Sequence, residues 1–284
     1  MQSRLRHSSL GMVIGVPFGG TAAVTNNVAM EAELATYISG LATPLSADIL
    51  GKINTFVAGY KSDDGLTNLS DAYDVMYYLG NETAESSLRN LVKRAHDAVA
   101  VNSPTFTPYE GWAGDGISSY ITSNYTPSTD KENYDLNDCS CGFYERTTSN
   151  GKCNMGGENT GAGLTSLWSA NNGASLYCGL NQAYNTTPVW TSSGGSLGMV
   201  IQTRITVGLL SVFHRTTKKD MSSAVNSIPT GTQWLMCYNR NASAQALSTA
   251  QLSFAFYGKG LSDASETFLY DRFQALMTAN GKQV

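Results

Sequence analysis

Few residues in this chain of 284 are of the types that carry out reactions, and their spacing limits what they can do. The three histidines, His7, His96 and His214, are far apart, and none sits in a Ser-His-Asp, Cys-His, G-x-S-x-G or HExxH arrangement. A glycosidase needs two carboxylates about 5–5.5 Å apart if retaining, and further apart if inverting. On a strand they would appear as alternating acids, but Glu145 and Glu158 stand alone. The acidic cluster in "STDKENYD" (Asp130, Glu132, Asp135) falls in a turn-rich stretch beside Pro127 and reads as a solvated loop. "MGGENTGAG" has glycines without the Lys-Ser/Thr of a phosphate loop. The five cysteines, Cys139, Cys141, Cys153, Cys178 and Cys237, are odd in number and lack zinc-knuckle spacing, so free buried thiols are expected. Cys139 and Cys141 should face the same side of a strand.

Two binding chemistries remain. Calcium is held by Asp and Asn side chains and backbone oxygens, and Asp115, Asp130 and Asp135 are the candidates, although their spacing is not that of a known calcium loop. No other cofactor is expected. Sugars stack on aromatic rings that have hydrogen-bonding neighbours. Tyr120, Tyr125, Tyr144, Trp168 and Tyr177 belong to the pool of rings in or near turns and strands. The candidate glycan-binding residues are Trp112, Asp115, Tyr184 and Trp190, with Tyr184 and Trp190 expected to be exposed.

The elements that must position these residues fall into three zones. Residues 1–30 form an arm whose apolar members Met12, Val13, Ile14, Val16 and Phe18 are expected to serve assembly. Glycines and Pro17 interrupt this patch, so a docking arm is expected and a cleaved signal is not. Residues 31–103 read as a helical prefix. "LSADILGKINTFVAGY" has apolar residues at helical spacing behind a Ser46 cap, "LSDAYDVMYYLG" places Leu69, Tyr73, Met76 and Tyr77 on one face, and "TAESSLRNLVKRA" adds a third stripe. From residue 104 the period changes to two, and Gly/Asn clusters separate the strands. "SANNGAS" between Trp168 and Tyr177 marks a hairpin. A last helix begins behind Ser262 and stops at Asn280-Gly281. The expected class is α+β, mainly β: an arm and helical prefix, then over 104–284 an antiparallel jelly-roll β-sandwich closed by a C-terminal helix.

Charged residues are 14% of the chain and the net charge is −4 without a basic block, which argues against nucleic acid. No run of eighteen apolar residues implies membrane insertion.

"NSPTFTPYEGWAGDGISSYITSNYTPST" and "LSFAFYGKGLSDASETFLYDRFQALMTANGK", in this order after a helical prefix, resemble a module of bacteriophage and prophage virion proteins, found on tail fibres and other appendages. Its β part is similar to the concanavalin A-like lectin/glucanase (LamG-like) jelly roll. The resemblance covers residues 31–284 and is strongest in the two quoted segments; the three cysteines of "NDCSCGFYERTTSNGKCNMGG" are no feature of that family. It implies a non-enzymatic virion structural protein, made in the host bacterial cytoplasm. The N-terminal region would attach it to other virion proteins and to copies of itself, with a homotrimer favoured. The sandwich would be displayed as a tail-fibre, head-fibre or decoration component that binds host-surface glycan. The rival readings are a glycan-degrading enzyme of the same fold and a secreted bacterial adhesin.

Overall fold

The computed structural model describes residues 29–159, 163–169, 175–183, 189–191 and 195–284. The expected assembly residues Met12, Val13, Ile14, Val16 and Phe18 lie outside them, as does Tyr184. In chain order the elements begin with α1 (Ala32–Ile38), α2 (Ala47–Asp64), β1 (Tyr73–Tyr77), α3 (Ala84–Ser87), β2 (Val99–Val101), β3 (Thr105–Thr107), β4 (Gly111–Ala113), β5 (Tyr120–Thr122) and α4 (Pro127–Asp130). There follow β6 (Cys139–Thr147), β7 (Cys153–Glu158), β8 (Leu164–Trp168), β9 (Ser175–Gln182), β10 (Val189–Thr191), β11 (Gly198–Arg204), β12 (Leu209–His214) and β13 (Thr217–Ser222). The chain ends with β14 (Trp234–Leu235), β15 (Tyr238–Arg240), β16 (Ser243–Gln245), β17 (Gln251–Gly258) and α5 (Asp263–Ala279).

The strands form two sheets, giving the α+β, mainly β sandwich expected from the sequence. The first sheet has the order β13-β12-β11-β6-β17-β4-β3, with β1 also on β17; the second has the order β10-β9-β8-β7-β14-β5-β2. Among the described strands, pairing is antiparallel except that β15 joins β7 in parallel. The period-two alternation decides which residues fill which space. Cys139, Cys141 and Phe143 of β6, Val200 of β11, and Ala255 and Tyr257 of β17 point between the sheets. They meet Ile121, Met155, Leu167, Cys178, Leu180 and Leu235 of the second sheet. The residues between them, Tyr144, Met199, Ile201, Phe254 and Phe256, point the other way, onto α2 and α5. The central strands of the first sheet, β1, β17, β6 and β11, are therefore buried on both faces. Phe273 of α5 is central to this outer core, with ring centroids 4.5–5.8 Å from Phe254, Tyr144, Phe56 and Tyr78.

Both long helices begin as the sequence indicates. The Ser46 hydroxyl accepts from the Ile49 N–H and the Ser262 hydroxyl from the Ser265 N–H, each satisfying an otherwise unpaired donor. Gly65 ends α2 in the left-handed region, and Gly281, also left-handed, follows Asn280 at the end of α5. The strands flanking "SANNGAS" pair as a hairpin, with Leu167 opposite Cys178. All five cysteines are buried and free, and Cys139 and Cys141 face the same core.

Two expected helices need correction. Residues 69–80 hold a single 3-10 turn followed by β1, which pairs with β17. Every residue from Ala72 to Gly80 is buried: Val75, Tyr77 and Leu79 face the sandwich core, and Tyr73, Met76 and Tyr78 face the helices. A strand covered on both faces has no polar side, so its apolar run can mimic a helical stripe. In "TAESSLRNLVKRA" only Ala84–Ser87 is helical. The Asn90 side chain accepts from the Met76 and Val92 N–H groups, drawing the chain out of the helix and across β1.

Candidate functional site

The stretch Tyr109–Thr129 supplies two strands and the turn between them. Its glycines are required sterically. A Cβ on Gly111, whose φ is +116°, would lie 2.0 Å from the Leu252 carbonyl oxygen, and one on Gly114 would lie 2.1 Å from that of Ser248. Gly116 takes a left-handed φ of +72°. Asp115 holds the turn together. Its Oδ1 accepts from the N–H groups of Ile117, Ser118 and Ser119 at 2.8–2.9 Å, and its Oδ2 accepts from the Ser118 hydroxyl at 3.0 Å. These donors hold its carboxyl well below the usual range.

The other candidates are placed as follows. Trp112 is in the core, 6% exposed, with its indole N–H donating to Ser87 Oγ at 2.8 Å and its ring 5.0 Å from Phe106. Trp190, expected to be exposed, is only 8% exposed. It stands opposite Leu176 on an edge strand, turns into the sandwich, and lies 6.1 Å edge-on from His214. Among the calcium candidates, Asp130 accepts from the Thr126 N–H and the Thr129 hydroxyl, and Asp135 pairs with Lys131 at 2.6 Å. Each is committed to its own loop. Among the described residues no three His, Cys, Asp or Glu side chains gather where a metal ion could be held.

Among the described residues, one group of rings that reach the surface lies on the outer face of the second sheet. Ile121 and Leu235 point inward, so their neighbours Tyr120 and Trp234 point outward. These two rings stack with centroids 4.4 Å apart and planes 22° apart. Trp234 is covered and Tyr120 is half-buried, so Tyr120 presents a surface that the indole backs. Burial raises the Tyr120 phenol above its ordinary pKa, so it stays neutral. Val101 is opposite Tyr120, and Val99, 49% exposed, is opposite Thr122 in the cross-strand row of Trp234. Two exposed asparagines bound the patch. Asn102 follows Val101 and donates to the Ser118 carbonyl, while Asn124 lies two residues past Thr122 and donates to the Asp97 carbonyl. From Trp234 the same row continues through the small residues Gly156, Ser166 and Gly179. A second outward pair, Trp168 and Tyr177, half-buried with centroids 6.2 Å apart, lies further across this face. Tyr120, Trp168 and Tyr177 belonged to the aromatic pool seen in the sequence. Trp234 did not, although its alternation with Leu235 in "TQWLMCY" carries the signal.

Such a face can stack on the apolar side of a ring-shaped ligand and hydrogen-bond its edges. The buried acids are engaged elsewhere: Glu33 with Lys61, Asp74 with Tyr125 and the loop at Glu132–Tyr134, Glu145 with Ser169, Glu158 with Arg240, and Glu266 with Lys218.

No known protein family matches the sequence, and no curated protein does. Solved structures similar to this chain include an HCR/D W1238A mutant, at 11% identity over 71% of this chain and 52% of that one, with a TM-score of 0.50. A mutant of Trypanosoma rangeli sialidase displaying trans-sialidase activity matches at 11% identity over 80% of this chain and 39% of that one, with a TM-score of 0.50. The botulinum neurotoxin serotype D binding domain matches at 11% identity over 71% and 52%, with a TM-score of 0.49. This chain thus corresponds to about half the length of the first. The likeness is one of fold: a β-sandwich of the kind these proteins contain.

Proposed function

We propose that this chain is a non-enzymatic β-sandwich that binds carbohydrate on the outer face of its second sheet, with Tyr120 as the stacking ring. The observation that carries the reading is the outward Tyr120–Trp234 stack between exposed asparagines, on the sheet face opposite the one that α2 and α5 pack toward. The fold is in keeping with it, since a sialidase is among the similar structures. The engagement of each buried acid with its own partner supports the non-enzymatic part. A glycan array with the full chain tests the proposal. Tyr120→Ala is expected to reduce binding at least tenfold while the unfolding midpoint stays within a few degrees. Binding unchanged by Tyr120→Ala, or no binding across a broad panel, overturns the reading. Hydrolysis of a polysaccharide that one carboxylate substitution abolishes would replace it with the glycan-degrading one.

The setting we propose is a phage particle, on the strength of the resemblance carried by residues 102–129 and 252–282. There the N-terminal arm, through Met12, Val13, Ile14, Val16 and Phe18, attaches the chain to virion proteins and to its own copies, as a trimer. Many weak sites on one particle then act together. Peptides of this chain in purified particles and a trimeric mass by light scattering are the expected results. A monomer absent from particles removes this setting without touching the glycan-binding face.

A further inference from the structure

Arg204 ends β11 with its guanidinium inside the sandwich, 1% exposed. Its Nη1 donates to the carbonyls of Leu209 and Ser223 at 3.0 and 3.1 Å, and its Nη2 to the Leu180 carbonyl and the Ser223 hydroxyl, both at 3.1 Å. That hydroxyl gives its own proton to Gln182 Oε1 at 2.7 Å. Two buried donors on either side of Ser223, Arg204 Nε and Gln182 Nε2, have no acceptor. Gln202, two residues back on β11, donates to Cys141 Sγ and the Gly179 carbonyl, leaving its Oε1 as a bare acceptor.

The charge is unbalanced as well as the hydrogen bonding. Arg89, Arg94, Arg146, Arg240 and Arg272 each pair with an acid, but no carboxylate lies within ion-pair distance of Arg204 among the described residues. The remaining residues of the chain include no Asp or Glu, so none of their side chains can supply one. The register neighbour of Arg204 is Cys139, whose thiol burial keeps protonated. Backbone carbonyls solvate a buried cation but do not neutralise it, and an uncompensated charge in the interior costs several kcal/mol.

We propose that the buried Arg204–Ser223–Gln182 cluster binds one small monovalent anion of the halide class, which acts as the internal counter-charge of Arg204. Arg204 Nε and Gln182 Nε2 are its donors. The site lies where the ends of β9 and β11 meet the start of β12 and the end of β13, apart from the outer face that carries Tyr120. A halide suits it better than an oxyanion because the two unfilled donors call for a small acceptor.

The test uses the full chain. Unfolding is followed at constant ionic strength while chloride replaces gluconate, which is too large to enter. The midpoint is expected to rise with chloride, and above the dissociation constant each tenfold increase adds about 1.4 kcal/mol to the unfolding free energy. Crystals soaked in bromide should show one anomalous peak beside Arg204. Gln182→Glu places a carboxylate on the other side of the Ser223 hydroxyl. It is expected to fold and to lose both the chloride dependence and the peak. Arg204→Met should lose both as well, and if it does not fold the Gln182→Glu result decides. Equal midpoints in chloride and gluconate, a cluster filled by water with no bromide signal, or a Gln182→Glu variant that keeps the full chloride response each overturn the proposal.

Discussion

Gly111 shows how much a single position can fix. It lies in β4 with a φ that side chains rarely adopt, and a methyl group would collide with the backbone of β17. Gly111→Ala is expected to destabilise the fold by about 3 kcal/mol or more, combining the overpacking and left-handed costs, as read from a urea midpoint. Because a backbone carbonyl cannot move aside as a side chain can, no rescue by a smaller neighbour should be found. The turn chemistry around it was legible from the sequence. Gly-Asp-Gly called for a tight connection with Asp at a turn position, and Asp115 fills that place. The fate of single aromatic rings was not legible. Trp112, a glycan candidate, and Trp190, expected to be exposed, are both turned inward by strand register. Tyr120 and Trp234 point out for the same reason. Alternation names which residues share a face, but only the pairing of strands says which face meets solvent.

At the scale of elements, α5 meets the edge of the first sheet through a buried carboxyl. Glu266 is in the first turn of the helix and is fully buried. Its Oε2 lies 3.2 Å from Lys218 of β13, and Asp263 shares that ammonium at 2.5 Å. Burial, offset in part by Lys218, raises its pKa from an ordinary 4.5 to about 7. The native state therefore holds this proton more tightly than the unfolded chain does. The resulting stability is full below about pH 4.5 and is lost as pH rises through about 7. Glu266→Gln is neutral throughout and should remove this loss, on the order of 2–3 kcal/mol between pH 5 and pH 8. Denaturant curves of both proteins at the two pH values check it; parallel declines would contradict it. The helices flanking this contact were legible because each buries one stripe and carries a serine cap. The strand β1 was not, because its neighbours cover both of its faces and remove the polar half of the alternation.

For the whole molecule, the first sheet ties the layers together: α2 and α5 rest on one of its faces and the second sheet on the other. Phe273→Ala, which empties the centre of the helical core, is expected to cost about 3–5 kcal/mol. It should lower the far-UV and near-UV unfolding transitions together, since neither layer keeps its core without the shared sheet. Separate midpoints for helix and strand signals would show independent layers. This arrangement also gives the molecule a front and a back. Beneath α2 and α5 the rings of Phe56, Phe254 and Phe273 are locked in the core, whereas the opposite side carries the half-buried Tyr120, Trp168 and Tyr177 at its surface. In a library of random substitutions, the two sides should therefore diverge. Changes beneath the helices would be purged for loss of folding, while those at Tyr120, Trp168 and Tyr177 would survive as soluble protein and differ chiefly in what they adhere to.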